Sequence, residues 1–285
     1  MKQHIIMKRL IASAVFTAAI LLSANLCAQT AQKNNFPKLK QKGKTAVVAH
    51  RGFWKCEKAG FSENSIAALK AAQDNCCWGS ECDVHITADD IVIVNHNNDI
   101  NGKLIWDSKY SDFDSDLLPN GEKRPTLDQY LDQLAKSKNT VLVIEFKIQK
   151  SDAREDLMIA KTVEALKAKG LYDPKRVAFI SFSRHACRRI AADYPEFTNQ
   201  YLSGRITPEV LESEGINGLD YHYSNFISNP EFVADAHSRG MSVNAWTVDD
   251  RENIQKMIDL GVDQITSNEP LTVRELLGKK EFKKK

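Results

Sequence analysis

Two carboxylates lie two residues apart in a short, otherwise apolar segment of the chain, ECDVHIT at residues 81–87. In a β-strand, side chains two residues apart lie on the same face, so Glu81 and Asp83 are expected to point to the same place. A second pair with this spacing, Glu145 and Lys147, occurs in the segment IEFK. Three carboxylates that meet at one point repel one another unless a cation lies between them. We therefore predict that Glu81, Asp83 and Glu145 bind a divalent cation, Mg²⁺ or Ca²⁺, rather than zinc, because no Cys and His set accompanies them.

Two histidines, His50 and His96, stand near the ends of predicted strands. Imidazole exchanges protons near neutral pH, so such a pair can serve as a general acid and a general base. The cationic side chains of Arg51 and Lys147 belong to the same strand ends and suit an anionic ester of phosphoric acid. The metal and these cations would neutralise charge on the phosphoryl oxygens. One histidine would remove a proton while the other supplies one to the leaving alkoxide.

These residues can act together only in a fold that brings the ends of its strands to one place. The periodicity of the chain predicts such a fold. From Thr45 onward, segments with a period of two alternate with segments with a period of 3.6, as in TAVVAHRG followed by SIAALKAAQDN. Eight pairs of strand and helix are counted if IVIVNHN is treated as an accessory strand. We predict an α/β fold, a (β/α)8 TIM-type barrel over residues 45–277 with a long insertion after the second strand. Its active site would lie at the carboxyl ends of the strands.

Composition limits the classes of protein to which the chain can belong. At 285 residues and 42% hydrophobic, the chain can bury one large core and leaves little room for a second full domain. Its 39 basic and 37 acidic side chains nearly balance, which gives no electrostatic footprint for nucleic acid. We therefore expect a small-molecule substrate as partner. The oligomeric state is left open by these features.

The two ends of the chain differ in composition from the barrel region. Residues 1–28 place basic residues before an apolar run and small residues, which predicts a signal peptide cleaved near Ala28. The polar stretch 29–44 predicts a tether, and residues 278–285 predict a solvated basic tail. We therefore expect an exported protein, periplasmic or secreted. A lipid-acceptor role for Cys27 is the less favoured alternative, because the two residues before it are not the small ones that such a site prefers.

Five cysteines follow the predicted leader, and their number is odd. In an oxidising compartment, at least one thiol would then stay unpaired within a monomer. Their spacing fits no zinc motif, so we expect structural burial or one disulfide. The sequence does not assign the pairing of Cys56, Cys76, Cys77, Cys82 and Cys187.

Eight short segments, in order along the chain, carry a resemblance to a known protein family. They are AHRG (49–52), ENS (63–65), ECD (81–83), the element around His96, IEFK (144–147), SFS (181–183), AWTVD (245–249) and GVDQITSNEP (261–270). Together they resemble the glycerophosphodiester phosphodiesterases and cover nearly the whole chain after the predicted leader. The resemblance implies metal-dependent hydrolysis of glycerophosphodiesters to glycerol phosphate and an alcohol. A free glycerol hydroxyl would attack phosphorus, and water would open the resulting cyclic phosphate.

The resemblance also implies roles for particular residues. His50 and His96 would be the acid/base pair, and Glu81, Asp83 and Glu145 would bind the metal. Arg51 and Lys147 would contact phosphate, and Trp246 would form one wall of the substrate mouth.

Some positions depart from the family pattern. Asn97 follows His96 where the family usually has Asp, and a neutral amide cannot match charge as a carboxylate can. Asp99 is a candidate to replace it. His85 lies two residues beyond Asp83 and is not part of the pattern, while Asn268 stands where an Asp is often found.

Two alternative functions stay open at this point. The Asn97 departure is compatible with a barrel that binds phosphate esters and turns them over weakly. The same chemistry also serves a phospholipase acting on intact lipids, which would need an apolar rim that the 98–123 segment could provide. Contact with a membrane is compatible with the favoured interpretation but not required by it. For Glu63 we expect either a structural role, such as capping the helix that follows, or a role in supporting a neighbouring site residue, rather than direct catalysis.

Overall fold

The computed structural model describes residues 45–278 and shows a closed barrel of eight parallel strands surrounded by helices. The predicted (β/α)8 barrel is therefore confirmed. The predicted signal peptide (1–28), the tether (29–44) and all of the basic tail except residue 278 lie outside the described residues.

Short buried strands form the barrel wall, and the first strand closes it. The strands of the described chain are β1 (Ala46–Ala49), β2 (Gly79–Ile86), β3 (Val92–Val94), β4 (Asp99–Ile100), β5 (Lys103–Leu104), β6 (Val141–Phe146), β7 (Val177–Ser181), β8 (Thr198–Tyr201), β9 (Gly218–His222), β10 (Ser242–Trp246) and β11 (Gln264–Ser267). Strand β1 pairs in parallel with both β2 and β11, which closes the ring. Strand β3 is antiparallel to β2 and is the accessory strand of the sequence prediction.

Helices pack outside the barrel, and several begin at a serine. They are α1 (Ile66–Asp74), α2 (Leu127–Leu134), α3 (Asp152–Ala168), α4 (Arg184–Asp193), α5 (Pro208–Ser213), α6 (Tyr223–Ser228), α7 (Glu231–Ser238), α8 (Arg251–Leu260) and α9 (Pro270–Leu276). The hydroxyls of Ser65, Ser151 and Ser183 each accept a hydrogen bond from the N–H three residues later, which satisfies a free donor of the first turn. Within residues 45–278, no helix combines the length and hydropathy needed to cross a bilayer.

Alternation along β2 places the acidic residues inside the barrel. Cys82 and Val84 pack in the apolar layer between the strands and the helices. Glu81 is the register partner of Val143, which belongs to an apolar cluster of strand residues in the barrel interior. Because side chains two residues apart share a face, Asp83 also points inward.

The insertion between β3 and α2 is an ordered unit with its own apolar centre. It contains the hairpin β4–β5 and two 3₁₀ turns, Ile105–Asp107 and Tyr110–Phe113. Ile105 and Phe113 are buried against Ile93 of β3, so the insertion is anchored to the barrel. This packing fixes the residues around His96 over the barrel mouth.

The five cysteines of the described region are all free thiols. Cys77, Cys82 and Cys187 are buried, and burial raises the pKa of the Cys77 thiol to about 12. Of the two predicted outcomes, structural burial is therefore found at these three positions, and no disulfide joins any of the five.

Candidate active site

The three predicted metal ligands converge at the carboxyl ends of β2 and β6. Asp83 and Glu145 are direct neighbours in the register of these parallel strands, and Glu81 lies two residues earlier on the same face. One carboxylate oxygen from each of the three lies within 4.8 Å of the others. All three side chains are buried, so water cannot screen their mutual repulsion.

Glu81 is held by the turn that follows β1. The backbone N–H of Arg51 donates to Oε2 of Glu81 at 2.7 Å, and Arg51 has a φ of 52°, in the left-handed region. The other oxygen, Oε1, is buried and has no hydrogen-bond partner. Burial, reinforced by the charges of Asp83 and Glu145, raises the pKa of Glu81 well above its usual value.

Asp83 lies where cationic and amide groups meet. The ammonium of Lys147 lies 3.1 Å from Oδ1 of Asp83 and 2.8 Å from Oε1 of Glu145, and Nδ2 of Asn64 donates to Oδ2 of Asp83 at 2.8 Å. Burial acts to raise the pKa of Asp83, but Lys147 and the neighbouring polar groups outweigh it and bring the pKa to about 2. For Glu145, burial and the charge of Asp83 prevail and raise the pKa to about 7.

This arrangement fits a divalent cation that prefers oxygen ligands. It offers oxygens alone from Glu81, Asp83 and Glu145, and the buried Oε1 of Glu81 lacks any other partner. The ion pair between Lys147 and Glu145 is also present, so the two interpretations of Glu145 coexist. A cation among the three oxygens would offset the repulsion that raises the pKa values of Glu81 and Glu145.

His50 follows β1 and is held by a network that begins at Asp249. The carboxylate of Asp249 accepts from Nδ2 of Asn268 at 2.8 Å, and the indole N–H of Trp54 donates to Oδ1 of Asn268 at 2.9 Å. Because an indole can only donate, these contacts fix which end of the amide is oxygen. That oxygen lies 2.9 Å from Nδ1 of His50, so Nδ1 carries the proton and Nε2 is free to accept one. Burial and the adjacent Arg51 lower the pKa of His50 below its usual value.

His96 follows the accessory strand β3, and its ring, like that of His50, is oriented by an amide oxygen. Its Nδ1 lies 2.9 Å from Oδ1 of Asn97, the residue that departs from the family pattern. Partial burial lowers the pKa of His96, although Asp83 acts to raise it. Asp99, the proposed substitute, instead accepts from the N–H of Gly102 in the β4–β5 turn.

His85 braces the backbone of His96. Its Nε2 donates to the carbonyl of His96 at 3.4 Å, and its Nδ1 accepts from Nε2 of Gln149 at 3.3 Å. The ring is buried, and burial lowers its pKa to about 4 because it disfavours the charged form. His85 is therefore a neutral support below the candidate acid/base residue.

Arg51 reaches the cluster from the side of the first turn. Its Nη1 lies 2.7 Å from Oε2 of Glu63, and its Nε lies 3.7 Å from Oδ2 of Asp83. Of the two roles expected for Glu63, capping is wrong: Ser65 caps α1, while the carboxylate of Glu122 accepts from the first backbone N–H groups of that helix. The contact with Arg51 agrees with the other role, support of a neighbouring site residue. Glu63 instead orients the guanidinium of Arg51.

Trp246 lies at the end of β10, on the rim of the mouth. Its indole N–H donates to the carbonyl of Asp220 at 2.8 Å. Its ring stands edge-to-face against Phe182 and His222, with centroids 5.5 Å apart in both pairs. The indole is thus fixed as part of an aromatic wall.

Two cavities include His96 in their lining. The larger, of about 540 Å³, lies between the first turn of the barrel and the insertion, and it includes Glu63 and Asn64 in its lining. The smaller, of about 300 Å³, is lined by Glu145 and Lys147 together with apolar side chains. A diester with its phosphorus near the carboxylates would have one space available for each substituent.

The structure adds four polar residues to those singled out from the sequence. Asn64 lies in the ENS segment, Asp249 in AWTVD and Asn268 in the last motif, but the motifs assign none of them a role, and Trp54 lies outside the motifs. Their roles depend on contacts between separate strand ends, from 19 positions apart for Asn64 and Asp83 to 214 for Trp54 and Asn268. The neighbouring motif segments were the only available signal.

Comparison with known proteins shows which family the chain resembles. The family model described as the glycerophosphoryl diester phosphodiesterase family matches residues 50–272. A glycerophosphodiester phosphodiesterase of Caldanaerobacter subterraneus subsp. tengcongensis is 29% identical over 255 residues, which cover 83% of this chain and 99% of that protein.

Solved structures extend the likeness to the fold. The crystal structure of a glycerophosphodiester phosphodiesterase from Parabacteroides distasonis has a TM-score of 0.79 and 41% identity, covering 83% of this chain and 98% of that one. An Oleispira antarctica phosphodiesterase, solved in complex with the product sn-glycerol-3-phosphate, has a TM-score of 0.71 and 25% identity, covering 82% of this chain and 97% of that one. The chain belongs to the glycerophosphoryl diester phosphodiesterase family.

Proposed function

We propose that the protein hydrolyses glycerophosphodiesters to glycerol phosphate and an alcohol, using a divalent cation and two histidines. The observation that carries this proposal is the meeting of three buried carboxylates with His50 and His96 at one barrel mouth. The family supports the reaction class, and the product bound by the Oleispira antarctica relative supports glycerol phosphate as a product.

The cations and carboxylates would hold the phosphate group. Glu81, Asp83 and Glu145 would bind Mg²⁺ or Ca²⁺, which when bound supplies Lewis-acid stabilisation of charge on phosphoryl oxygens. Lys147 and Arg51 already lie beside Asp83 and can turn their N–H groups toward a phosphate at the same place. Trp246 would limit how the substrate enters the mouth.

The two imidazoles would move the protons. One accepts the proton of a glycerol hydroxyl as its oxygen forms a bond to phosphorus, while the other donates a proton to the alkoxide as the second P–O bond breaks. The first step yields a cyclic phosphate and a free alcohol. In the second step the histidines exchange roles: one takes a proton from a water molecule as its oxygen forms a bond to phosphorus, and the other donates a proton to the glycerol oxygen as the ring P–O bond breaks, which releases glycerol phosphate. Neutral imidazole with a free Nε2, as at His50, is the form required of the base.

The first experiment measures release of glycerol phosphate from glycerophosphocholine and glycerophosphoethanolamine with Mg²⁺, with Ca²⁺ and with chelator. We expect release that requires a metal and is restored when the metal is returned. His50→Ala and His96→Ala should each lower turnover by about 10²- to 10⁴-fold without changing the folding transition. Binding without release in any metal would favour the weakly active binding barrel.

Intact lipids are a second candidate because several apolar side chains near the mouth are exposed. Ile148 is 56% exposed and Leu117 is 52% exposed, and Phe182 is also partly open to solvent. Release of a phosphorylated product from phospholipid vesicles, with no release from the water-soluble diesters, would favour this alternative.

We also propose that the protein is exported and that residues 1–28 are removed. The composition of that segment supports the proposal. N-terminal sequencing of the protein from the cell envelope should begin just after Ala28. A lipid label on Cys27 would contradict cleavage at that point and favour a lipoprotein.

A further inference from the structure

The SFS motif at residues 181–183 and the carboxylate of Glu155 form a buried hydrogen-bond network behind the barrel mouth. We propose that this network is a positioning device for His96, on which it acts through Gln149 and His85. The motif is one of the eight that carry the family resemblance, and the acid/base mechanism gives it no role. This inference rests on the proposed function, because it names the residues that hold one of the two proton-transfer groups in place.

Glu155 lies in the first turn of α3 and is only 3% exposed. Its Oε1 accepts from the backbone N–H of Gln149 at 3.2 Å, and its Oε2 accepts from the hydroxyl of Ser183. None of the ion pairs among the described residues includes Glu155. Its charge is compensated instead by these two donors and by the helix dipole, which favours an anion in the first turn. A buried carboxylate is costly unless it is hydrogen-bonded, so these two bonds are the contribution that Glu155 makes.

Through Gln149, Glu155 holds the loop that follows β6. Nε2 of Gln149 donates to the carbonyl of Lys147 at 2.9 Å and to Nδ1 of His85 at 3.3 Å. Nε2 of His85 in turn donates to the carbonyl of His96 at 3.4 Å. The position of the Gln149 backbone therefore sets the position of the His96 backbone.

The two serines of the motif fix the other end of the network. The hydroxyl of Ser181, the last residue of β7, donates to the carbonyl of Phe146, the last residue of β6, at 2.6 Å. The same oxygen accepts from the N–H of Ser183 at 2.9 Å, which places the Ser183 hydroxyl within reach of Glu155. Phe182 points to the opposite face of the chain and lines the smaller cavity. The motif thus ties the ends of two barrel strands to α3.

The first test removes the acceptor while keeping the volume of the side chain. Glu155→Met replaces the carboxylate by an apolar chain of similar length, and Glu155→Gln keeps an oxygen for the N–H of Gln149. The value of kcat is measured for release of glycerol phosphate from glycerophosphocholine, at a temperature where each variant is folded. We expect kcat to fall by about 10- to 100-fold in Glu155→Met, because a small displacement of a proton-transfer group has this effect, and to stay within about threefold of the wild type in Glu155→Gln. A loss of the same size in both variants would overturn the inference.

Combination with Gln149→Ala shows whether the two residues act in series. Alanine keeps the backbone N–H that Glu155 binds and removes the amide that reaches His85. If Glu155 acts through that amide, the double variant loses no more of kcat than the more severe single variant does. Independent effects would multiply, and that result would contradict a path through Gln149.

Two helix caps provide a matched pair that controls for loss of stability. Ser183→Ala and Ser151→Ala each remove the cap of one helix, α4 and α3 respectively. Of the two hydroxyls, that of Ser183 also donates to Glu155. We expect both variants to lower Tm to a similar extent, whereas kcat falls by about 3- to 10-fold in Ser183→Ala and is unchanged in Ser151→Ala. Equal kcat values in the two variants would remove the motif from the network.

A spectroscopic readout separates this inference from the proposed function. Nδ1 of His96 lies 2.9 Å from Oδ1 of Asn97, and the ¹⁵N signals of the ring report this contact without any substrate. Glu155→Met should shift or broaden the His96 signals more than those of His50, while Ser151→Ala should leave both unchanged. Unchanged His96 signals in Glu155→Met would overturn the inference and leave the proposed function standing. Failure of the wild type to hydrolyse the diester would overturn the proposed function, and the same signals would still decide whether the network positions His96.

Discussion

The amide oxygen of Asn268 lies 2.9 Å from Nδ1 of His50, and the same oxygen accepts a hydrogen bond from the indole of Trp54. This shared acceptor fixes the tautomer of His50 from the opposite end of the chain. At His96, the corresponding oxygen belongs to Asn97. Both candidate acid/base residues are therefore oriented by neutral amides, which hold the ring without adding a charge that would raise its pKa.

Removing the amide of Asn268 should impair His50 without unfolding the barrel. In Asn268→Ala we expect kcat to fall by about 10- to 100-fold, because the ring loses the contact that sets its orientation and tautomer. The hydrogen bond from His50 to Asn268 acts to raise the pKa of His50, so its loss should move the His50 limb of the pH–rate profile to lower pH. The profile of kcat against pH measures both effects.

A matched control is Ser224→Ala. Ser224 places its hydroxyl 2.8 Å from Nδ1 of His222, which lies outside the carboxylate cluster. We expect the control to keep both the rate and the profile. Equal losses in the two variants would show that Asn268 acts through general stability rather than through His50.

Restoring the family carboxylate in Asn97→Asp should alter His96 selectively. The oxygen that faces Nδ1 is retained, and the added negative charge raises the pKa of His96. We expect kcat at the optimum to be kept or raised by up to about tenfold, with one limb of the pH–rate profile moved to higher pH. Movement of the acidic limb would identify His96 as the base, and movement of the basic limb would identify it as the acid.

Asn98→Asp provides the comparison, because it adds the same charge one residue farther along the chain and its side chain lines the smaller cavity. A similar displacement of the limb in both variants would mean that His96 responds to overall charge rather than to the residue at 97. A large loss of activity in Asn97→Asp alone would mean that its local geometry does not tolerate the carboxylate.

The barrel could be predicted because each of its strands is marked by local periodicity. The switch from period two to period 3.6 recurs at every unit, and apolar strands such as AVVA and VLVIEF are fully buried, as the pattern requires. The inward direction of Glu81 and Asp83 also followed from local spacing, and their nearness to Glu145 followed from the barrel. These predictions depend on local spacing and on the closure of the barrel, and not on individual long-range side-chain contacts.

The supports of the histidines could not be predicted in this way. Asn268 meets His50 across 218 positions, and Gln149 meets His85 across 64. Such contacts depend on the exact closure of the ring and on side-chain conformations that leave no local pattern. The expected helix cap at Glu63 was wrong for the same reason, because the distant Glu122 competes for the first turn of α1 and Arg51 draws Glu63 away.

Neutralising Glu81 should separate metal binding from folding. For the wild type, an ion at 100 times its Kd should stabilise the fold by about 2.7 kcal/mol, or a Tm rise of about 5–10 °C for a domain of this size. In Glu81→Gln we expect less than half of that rise, because one of the three oxygens loses its charge. In chelator, the variant should be more stable than the wild type, because the buried carboxylate with a raised pKa is gone.

A second acidic group serves as the control for this experiment. Asp152, Glu155 and His185 also bring ligand atoms within 4.8 Å of one another, but Asp152 is exposed. Asp152→Asn should retain the full rise in Tm on adding Mg²⁺ or Ca²⁺. If Asp152→Asn loses the rise and Glu81→Gln keeps it, the metal binds at the helices and not at the barrel mouth.

His85 should make the stability of the protein depend on pH. Burial lowers its pKa from 6.5 to about 4, so the unfolded chain binds the proton more tightly than the folded one. The stability that depends on this difference is complete above pH 6.5 and is lost as pH falls from 6.5 toward 4. By pH 5 the loss amounts to about 2 kcal/mol, at 1.36 kcal/mol per unit.

The variant His85→Gln removes this titration and retains an N–H that can donate to the carbonyl of His96. We expect the free energy of unfolding in urea to fall between pH 8 and pH 5 by about 2 kcal/mol less in the variant than in the wild type. An unchanged slope in His85→Gln would mean that the ring becomes protonated without cost, and that its neutral form does not support His96.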